Sequence, residues 1–288
     1  MDYQLALIFI IGGFGLIFFG VYFLLKLKQK KRLIQIQKMS FKQEYREFLQ
    51  KTPHYKNLSI EEKEQIEHSI LHFAYTKEFI GVKMEVTHEM KVIISFYACL
   101  LLLKIQTNNC YENLKTIILY PSAVMADKES YIGGIYSKER FLIGGQSSND
   151  TVVLIWDDVK REAYYPSHEN VVVHEFAHEI DFMNGEIDGI PPMEKSKYKE
   201  WVHILFHNYD ELKTIVQKNR DWGRYKLIGS YAATNEAEFF AVISERFFES
   251  PHSFDAKFPE LYKELQGFYK IDTKQLLRND NKQEFKTC

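Results

Sequence analysis

A chain of 288 residues, 45% hydrophobic and 15% aromatic, has enough apolar side chain to bury one sizeable core or two small ones, which excludes an intrinsically disordered protein. Lysine plus arginine (37) almost balance aspartate plus glutamate (39), so no basic surplus marks nucleic acid as a direct partner. Cys99, Cys110 and Cys288 are too few and too scattered for a disulfide framework or a cysteine-ligated metal site, in keeping with a reducing compartment.

The first element is the uncharged run Leu5–Leu25, long enough as a helix to cross the roughly 30 Å hydrocarbon layer, and it predicts a single transmembrane span. Met1-Asp2-Tyr3-Gln4 lacks the basic start of a signal peptide, and the far flank Lys26-Leu27-Lys28-Gln29-Lys30-Lys31-Arg32 is strongly basic. Positive charge stays inside, so the expectation is a single-pass membrane protein with its N-terminus outside and the remainder cytoplasmic.

Phe41 to about Ile105 reads as helical, punctuated by Thr52-Pro53 and Gly81, with Ser59-Ile60-Glu61-Glu62 as a capping box. Val92–Leu103 is too short to span a membrane and predicts a buried helix. From Leu114 the texture changes to β-like runs at Thr116–Tyr120, at Phe141–Ile143 before Gly144-Gly145, and at Thr151–Trp156. Helices resume through the stretch beginning at Val171, then Tyr198–Val216 and Asn235–Glu249. This order predicts an α+β domain in which helices pack on a small mixed sheet.

The chemistry lies in Val172-Val173-His174-Glu175-Phe176-Ala177-His178-Glu179-Ile180-Asp181. Positions four apart share a helix face, so His174 and His178 can converge on one Zn²⁺. Glu175 is rotated about 100° from His174, beside the metal but off it, where it can take a proton from zinc-bound water. The apolar residues around the motif and the stop at Asn184-Gly185 fit a core-facing helix. His68/His72 and His203/His207 share the spacing but have no glutamate after the first histidine, which makes them weaker candidates.

A third ligand must come from elsewhere in the chain. The metzincin pattern fails, because it needs Gly at 181 and His at 184, where this chain has Asp181 and Asn184. Carboxylates in the apolar, aromatic segment Tyr231–Phe247 are the alternative, since an unpaired buried charge there would be costly. Spacing leaves Glu236, Glu238 and Glu245 all open: Glu238 could equally close a capping box with Asn235, and Glu236 could face solvent. Glu245 shares a face with Glu238 and is the better support for an imidazole, a role also open to Asp181.

Taken together, Asn170–Asp181 with Asn184-Gly185, Asp188-Gly189 and Pro191, then Ala98–Leu103, Ile118–Pro121, Val153–Trp156 and Tyr231–Ala241, resemble the Mlc titration factor A peptidases over about residues 40–265. The resemblance implies a bacterial, gluzincin-like zinc aminopeptidase with one Zn²⁺, the third ligand at Glu238 and a tyrosine near the metal at Tyr231. It also implies, by family resemblance only, a transcriptional regulator as a partner class. Members are typically soluble, and the Leu5–Leu25 run lies outside the similarity.

The expected organisation is therefore an anchor with basic flank at 1–32 and a zincin-like metallopeptidase domain at 33–288. Within that domain, about 40–110 is helical, about 111–265 carries the sheet and metal site, and about 266–288 is a tail. The expected reaction is hydrolysis of a peptide or protein substrate: His174, His178 and Glu238 hold the metal, Glu175 moves the proton, and Tyr231 donates to the oxyanion. The strand Thr151–Trp156 would supply a sheet edge for an extended substrate. The rival expectation is a membrane-tethered regulatory protein that binds a transcription factor or another partner, with zinc structural or vestigial. An intact Glu175 favours catalysis, because a structural site has no use for an adjacent base.

Overall fold

Helix α1 (Tyr3–Gln37) is followed by α2 (Gln43–Leu49), α3 (Pro53–Lys56) and α4 (Ile60–Thr76), which starts on the expected capping box of Ser59 with Glu62. Next come β1 (Glu78–Gly81), the buried helix α5 (His88–Leu102) and β2 (Thr116–Tyr120). After these follow the hairpin strands β3 (Val124–Ile132) and β4 (Ile135–Ile143), then β5 (Gln146–Ser148) and β6 (Thr151–Ile155). The chain then forms α6 (Trp156–Tyr164), α7 (Val171–Asp181), α8 (Lys195–Gln217), α9 (Glu236–Glu249), α10 (Pro251–Lys257) and α11 (Pro259–Tyr269). This computed structural model describes residues 3–105, 111–122, 124–132, 135–143, 146–148 and 150–277, with backbone alone for Tyr3–Ile10, Gly12, Gly13, Gln29, Gln37 and the described residues of 124–148. Cys110, Cys288 and Gly144-Gly145 lie outside the described residues, and Cys99 is a buried free thiol.

Two compact units divide the chain, Met1–Phe41 and Lys42–Cys288. The first is essentially α1, and here the expectation of an anchor is corrected. Among the described residues no helix is long and apolar enough to cross a membrane. The side chains of Tyr3–Ile10 lie outside the described set. The single-pass assignment, the outward N-terminus, the membrane as a partner and the cytoplasmic placement derived from them are all withdrawn.

In the second unit, a four-stranded sheet has the order β1-β2-β6-β5. β1, β2 and β6 are parallel, and β5 runs antiparallel to β6 at the edge. β1 was not foreseen within the helical stretch, because four residues show too little alternation and are ordered only by pairing with β2, whose Ile117 faces Phe79 in register. β6 was expected as a sheet edge. It is instead an interior strand, bonded to β2 over its whole length and to β5 through Thr151–Val153, so it offers no free edge there for an extended substrate.

The core explains how α7 is held. Val172, Val173, Phe176, Ala177 and Ile180 are all buried, one apolar face of an amphipathic helix. Phe176 sits edge-on to Phe73 (5.6 Å between ring centroids) and to Tyr111 (4.9 Å), aromatic contacts that join α4 and the segment before β2 to the motif helix. Its complete burial is worth about 1.5–3 kcal/mol. Helix α9 packs along α7 and is more completely buried, with Phe239, Phe240, Phe247 and Phe248 fully buried.

Candidate metal centre

Asn170 starts the site. Its Oδ1 caps α7 by accepting from the Val173 amide at 3.1 Å, while its own amide donates to Glu245 Oε2 at 2.9 Å and its Nδ2 to Glu249 Oε1 at 2.7 Å. One 1%-exposed residue thus caps the start of α7 and grips α9. Glu162 on α6 adds a carboxylate at the same helix start, accepting the Val171 amide at 2.7 Å, where the helix dipole favours negative charge.

On α9, Glu238, Glu245 and Glu249 are spaced i, i+7 and i+11, a polar stripe on one face of an otherwise apolar helix. The stripe meets α7. Glu238 Oε2 lies 3.1 Å from His174 Nε2 and 3.4 Å from His178 Nε2, and the two Nε2 atoms are 3.3 Å apart. Four ligands held tetrahedrally at 2.0–2.1 Å from zinc stand about 3.3–3.4 Å from one another. The three donor atoms therefore form a triangle of the size that ion requires, and two imidazoles with one carboxylate are a suitable donor set for it. Among the described residues this is the group of histidine and acidic side chains that could hold a metal ion. Glu236 is not in it, nor are His68, His72, His203 and His207.

The electrostatics point the same way. Burial pushes the His174 imidazole down, but hydrogen bonds with Glu238 and Glu245 outweigh it and hold the ring up at about 10. The same hydrogen bonds with His174 and His178 hold Glu238 far below the usual carboxylate range, although burial alone would raise it. A place that binds a proton so firmly is built for positive charge. Glu245 Oε1 sits 2.7 Å from His174 Nδ1, which orients that ring and leaves Nε2 for the triangle. Glu175 is 4% exposed, and burial raises its carboxyl to about 7.

A cleft of about 470 Å³ opens on this wall, lined by His174, Glu175, Tyr231, Glu245 and the α6 residues Arg161 and Glu162. Tyr231 stands in a short turn just before α9, its ring centroid 5.9 Å from that of His174. Partial burial, and then the neighbouring Glu238 charge, push its phenol up to about 12. Asp181 is fully buried, and its Oδ2 accepts the Gly189 amide at 2.8 Å. Sequence reasoning did not single out Asn170, Glu162 or Glu249 as individual site residues. The signal available for Asn170 was its cap position, and for Glu249 its place on the acidic stripe.

Comparison with known proteins agrees with the geometry. Residues 25–270 match the glucose-regulated metallo-peptidase M90 family. An uncharacterized protein of Synechocystis is 30% identical over 227 residues, covering 76% of this chain and 80% of the relative. Proteins named Mlc titration factor A from Yersinia pestis and Yersinia pseudotuberculosis are 32% identical over 164 residues, 56% of this chain and 60% of their own length. With most of its length matched, the chain belongs to the M90 metallopeptidase family.

Proposed function

We propose that this protein is a gluzincin-like zinc peptidase, aminopeptidase-like in its choice of substrate end, with His174, His178 and Glu238 as the ligands of one Zn²⁺. The observation that carries the reading is the donor triangle with edges of 3.1, 3.3 and 3.4 Å beside a buried glutamate on the wall of a cleft. When bound, the ion would supply Lewis acidity, polarising the scissile carbonyl and acidifying water at neutral pH.

The chain's own residues do the rest. Glu175 takes the proton from the attacking water and returns it to the leaving amine. Tyr231 donates a hydrogen bond to the scissile oxygen as charge develops there, and Glu245 keeps His174 oriented. The outer edge of β5, which is unpaired among the described residues and packs against α7, takes the role first assigned to β6 and pairs with an extended peptide backbone.

Hydrolysis of amino-acid p-nitroanilides by the full chain, abolished by a chelator and restored by Zn²⁺, is the expected result. Chelator-insensitive hydrolysis, or none across a panel of amino acids, would remove the peptidase reading. The Yersinia relatives' name favours a second reading, a regulatory protein that titrates a transcription factor. In that case Glu175→Gln would leave partner binding intact while the panel stayed silent.

A further inference from the structure

The two imidazoles of the triangle are held differently at their far nitrogens. His174 Nδ1 rests on Glu245, whereas His178 Nδ1 is buried and has no hydrogen-bond partner in the protein. One turn further along α7, Asp181 is 0% exposed and has the complementary deficit: Oδ2 accepts the Gly189 amide, but the buried Oδ1 has no partner. Residues three apart share a helix face. Of the described residues, only four have such a buried side-chain atom, and the other two, Ser95 and Glu249, lie on α5 and α9. No direct bond joins the two, and a leftover donor and acceptor on adjacent turns of one helix call for a shared partner, because buried polar groups in folded proteins are almost always satisfied.

We propose that Asp181 is the positioning residue of His178: its Oδ1 takes the Nδ1 proton across one bridging water, and so turns the Nε2 lone pair toward the ligand triangle. The inference rests on the zinc-ligand reading above. The other oxygen of the same carboxylate serves the third ligand. Gly189 adopts φ +77°, and a Cβ there would stand 2.7 Å from the carbonyl oxygen of Glu236, two residues before Glu238. Trp201 Nε1 donates to the Gly189 carbonyl at 3.1 Å and clamps the loop from its far side. Asp181 thereby couples the orientation of His178 to the seating of the first turn of α9.

The test is Asp181→Asn in the full chain. Asparagine keeps an oxygen for the Gly189 amide but places an NH₂ group, a donor, where Oδ1 was. Zinc affinity, measured by competition with a chromophoric chelator, should fall about 10–100-fold while the melting temperature of the metal-free protein stays near that of the parent. The visible spectrum of the cobalt-loaded variant should shift as well, which a purely structural residue would not cause. Parental zinc affinity in the variant would overturn the proposal and leave the peptidase reading standing. Failure of the parent itself to bind zinc would overturn both. Should the variant fold poorly, nitrogen NMR of the parent decides: His178 in the Nδ1–H tautomer is expected, and the Nε2–H tautomer would refute the assignment.

Discussion

Two histidine pairs of identical spacing sit on neighbouring helices of this protein, His174/His178 on α7 and His203/His207 on α8. On α7 the side chains are 13% and 12% exposed, their Nε2 atoms converge to 3.3 Å, and a carboxylate from α9 closes the triangle. On α8 both residues are exposed, the rings stack with centroids 6.4 Å apart at 24°, and neither belongs to a group that could hold a metal. The i,i+4 spacing puts two imidazoles on one face, but burial against a helix that carries acids turns that face into a site. Local geometry is shared; the tertiary neighbour makes the difference.

The sharpest way to break this contrast is to remove the group beside the triangle without touching the triangle. Glu175→Gln should lower kcat about 10²–10⁴-fold while zinc content by elemental analysis stays that of the parent. A variant that turns over at the parental rate would reassign the proton carrier. Next, Glu238→Ala should reduce zinc to well below one ion per chain, and full occupancy would mean that another acid holds the metal. Glu245→Gln, which exchanges an acceptor of the His174 Nδ1 proton for an amide, should weaken zinc binding about 10–100-fold in the same chelator competition.

A smaller effect is expected at Glu249. Its carboxyl is 5% exposed at the residue level, Oε2 has no partner, and burial holds it protonated well above its usual range. His54 Nε2 is 3.6 Å away, but that ring is itself pushed down to about 4 by burial, so the two face each other as neutral groups. A raised acid binds its proton more tightly folded than unfolded, so its contribution to stability is largest below the unfolded value near 4.5 and declines as pH rises. Glu249→Gln keeps the oxygen that Asn170 uses and needs no proton. It should raise the melting temperature by about 2–4 °C at pH 8 and by less at pH 5; an equal change at both would show the group ionised in the fold. Smallest of all, His203→Ala with His207→Ala should leave zinc content unchanged.

Much of the local structure was legible. The capping box at Ser59, strand β2, the left-handed Gly185 (φ +95°) that ends the 3-10 turn just after α7, and the capped start of α9 at Asn235 all follow from signals within one or two turns. The membrane anchor was the failure of the same reasoning: an uncharged run with a basic flank was taken as a span, and among the described residues no helix is long and apolar enough for one. The β6 edge failed for another reason: alternation shows that a segment is a strand, but says nothing of how many neighbours it has.

The sequence by itself determined that His174, Glu175 and His178 share one stretch of helix, because a 3.6-residue period dictates which side chains are adjacent. Its spacing could not choose among Glu236, Glu238 and Glu245, and only resemblance singled out Glu238. The tertiary structure alone decided which acid meets the imidazoles, by bringing Glu238 to His174 across 64 residues of chain and laying Glu245 behind the first ring. The reason is range: helix and cap rules act within a few residues, whereas α9 is brought to α7 by the packing of the two buried helices and by the grip of Asn170 on both.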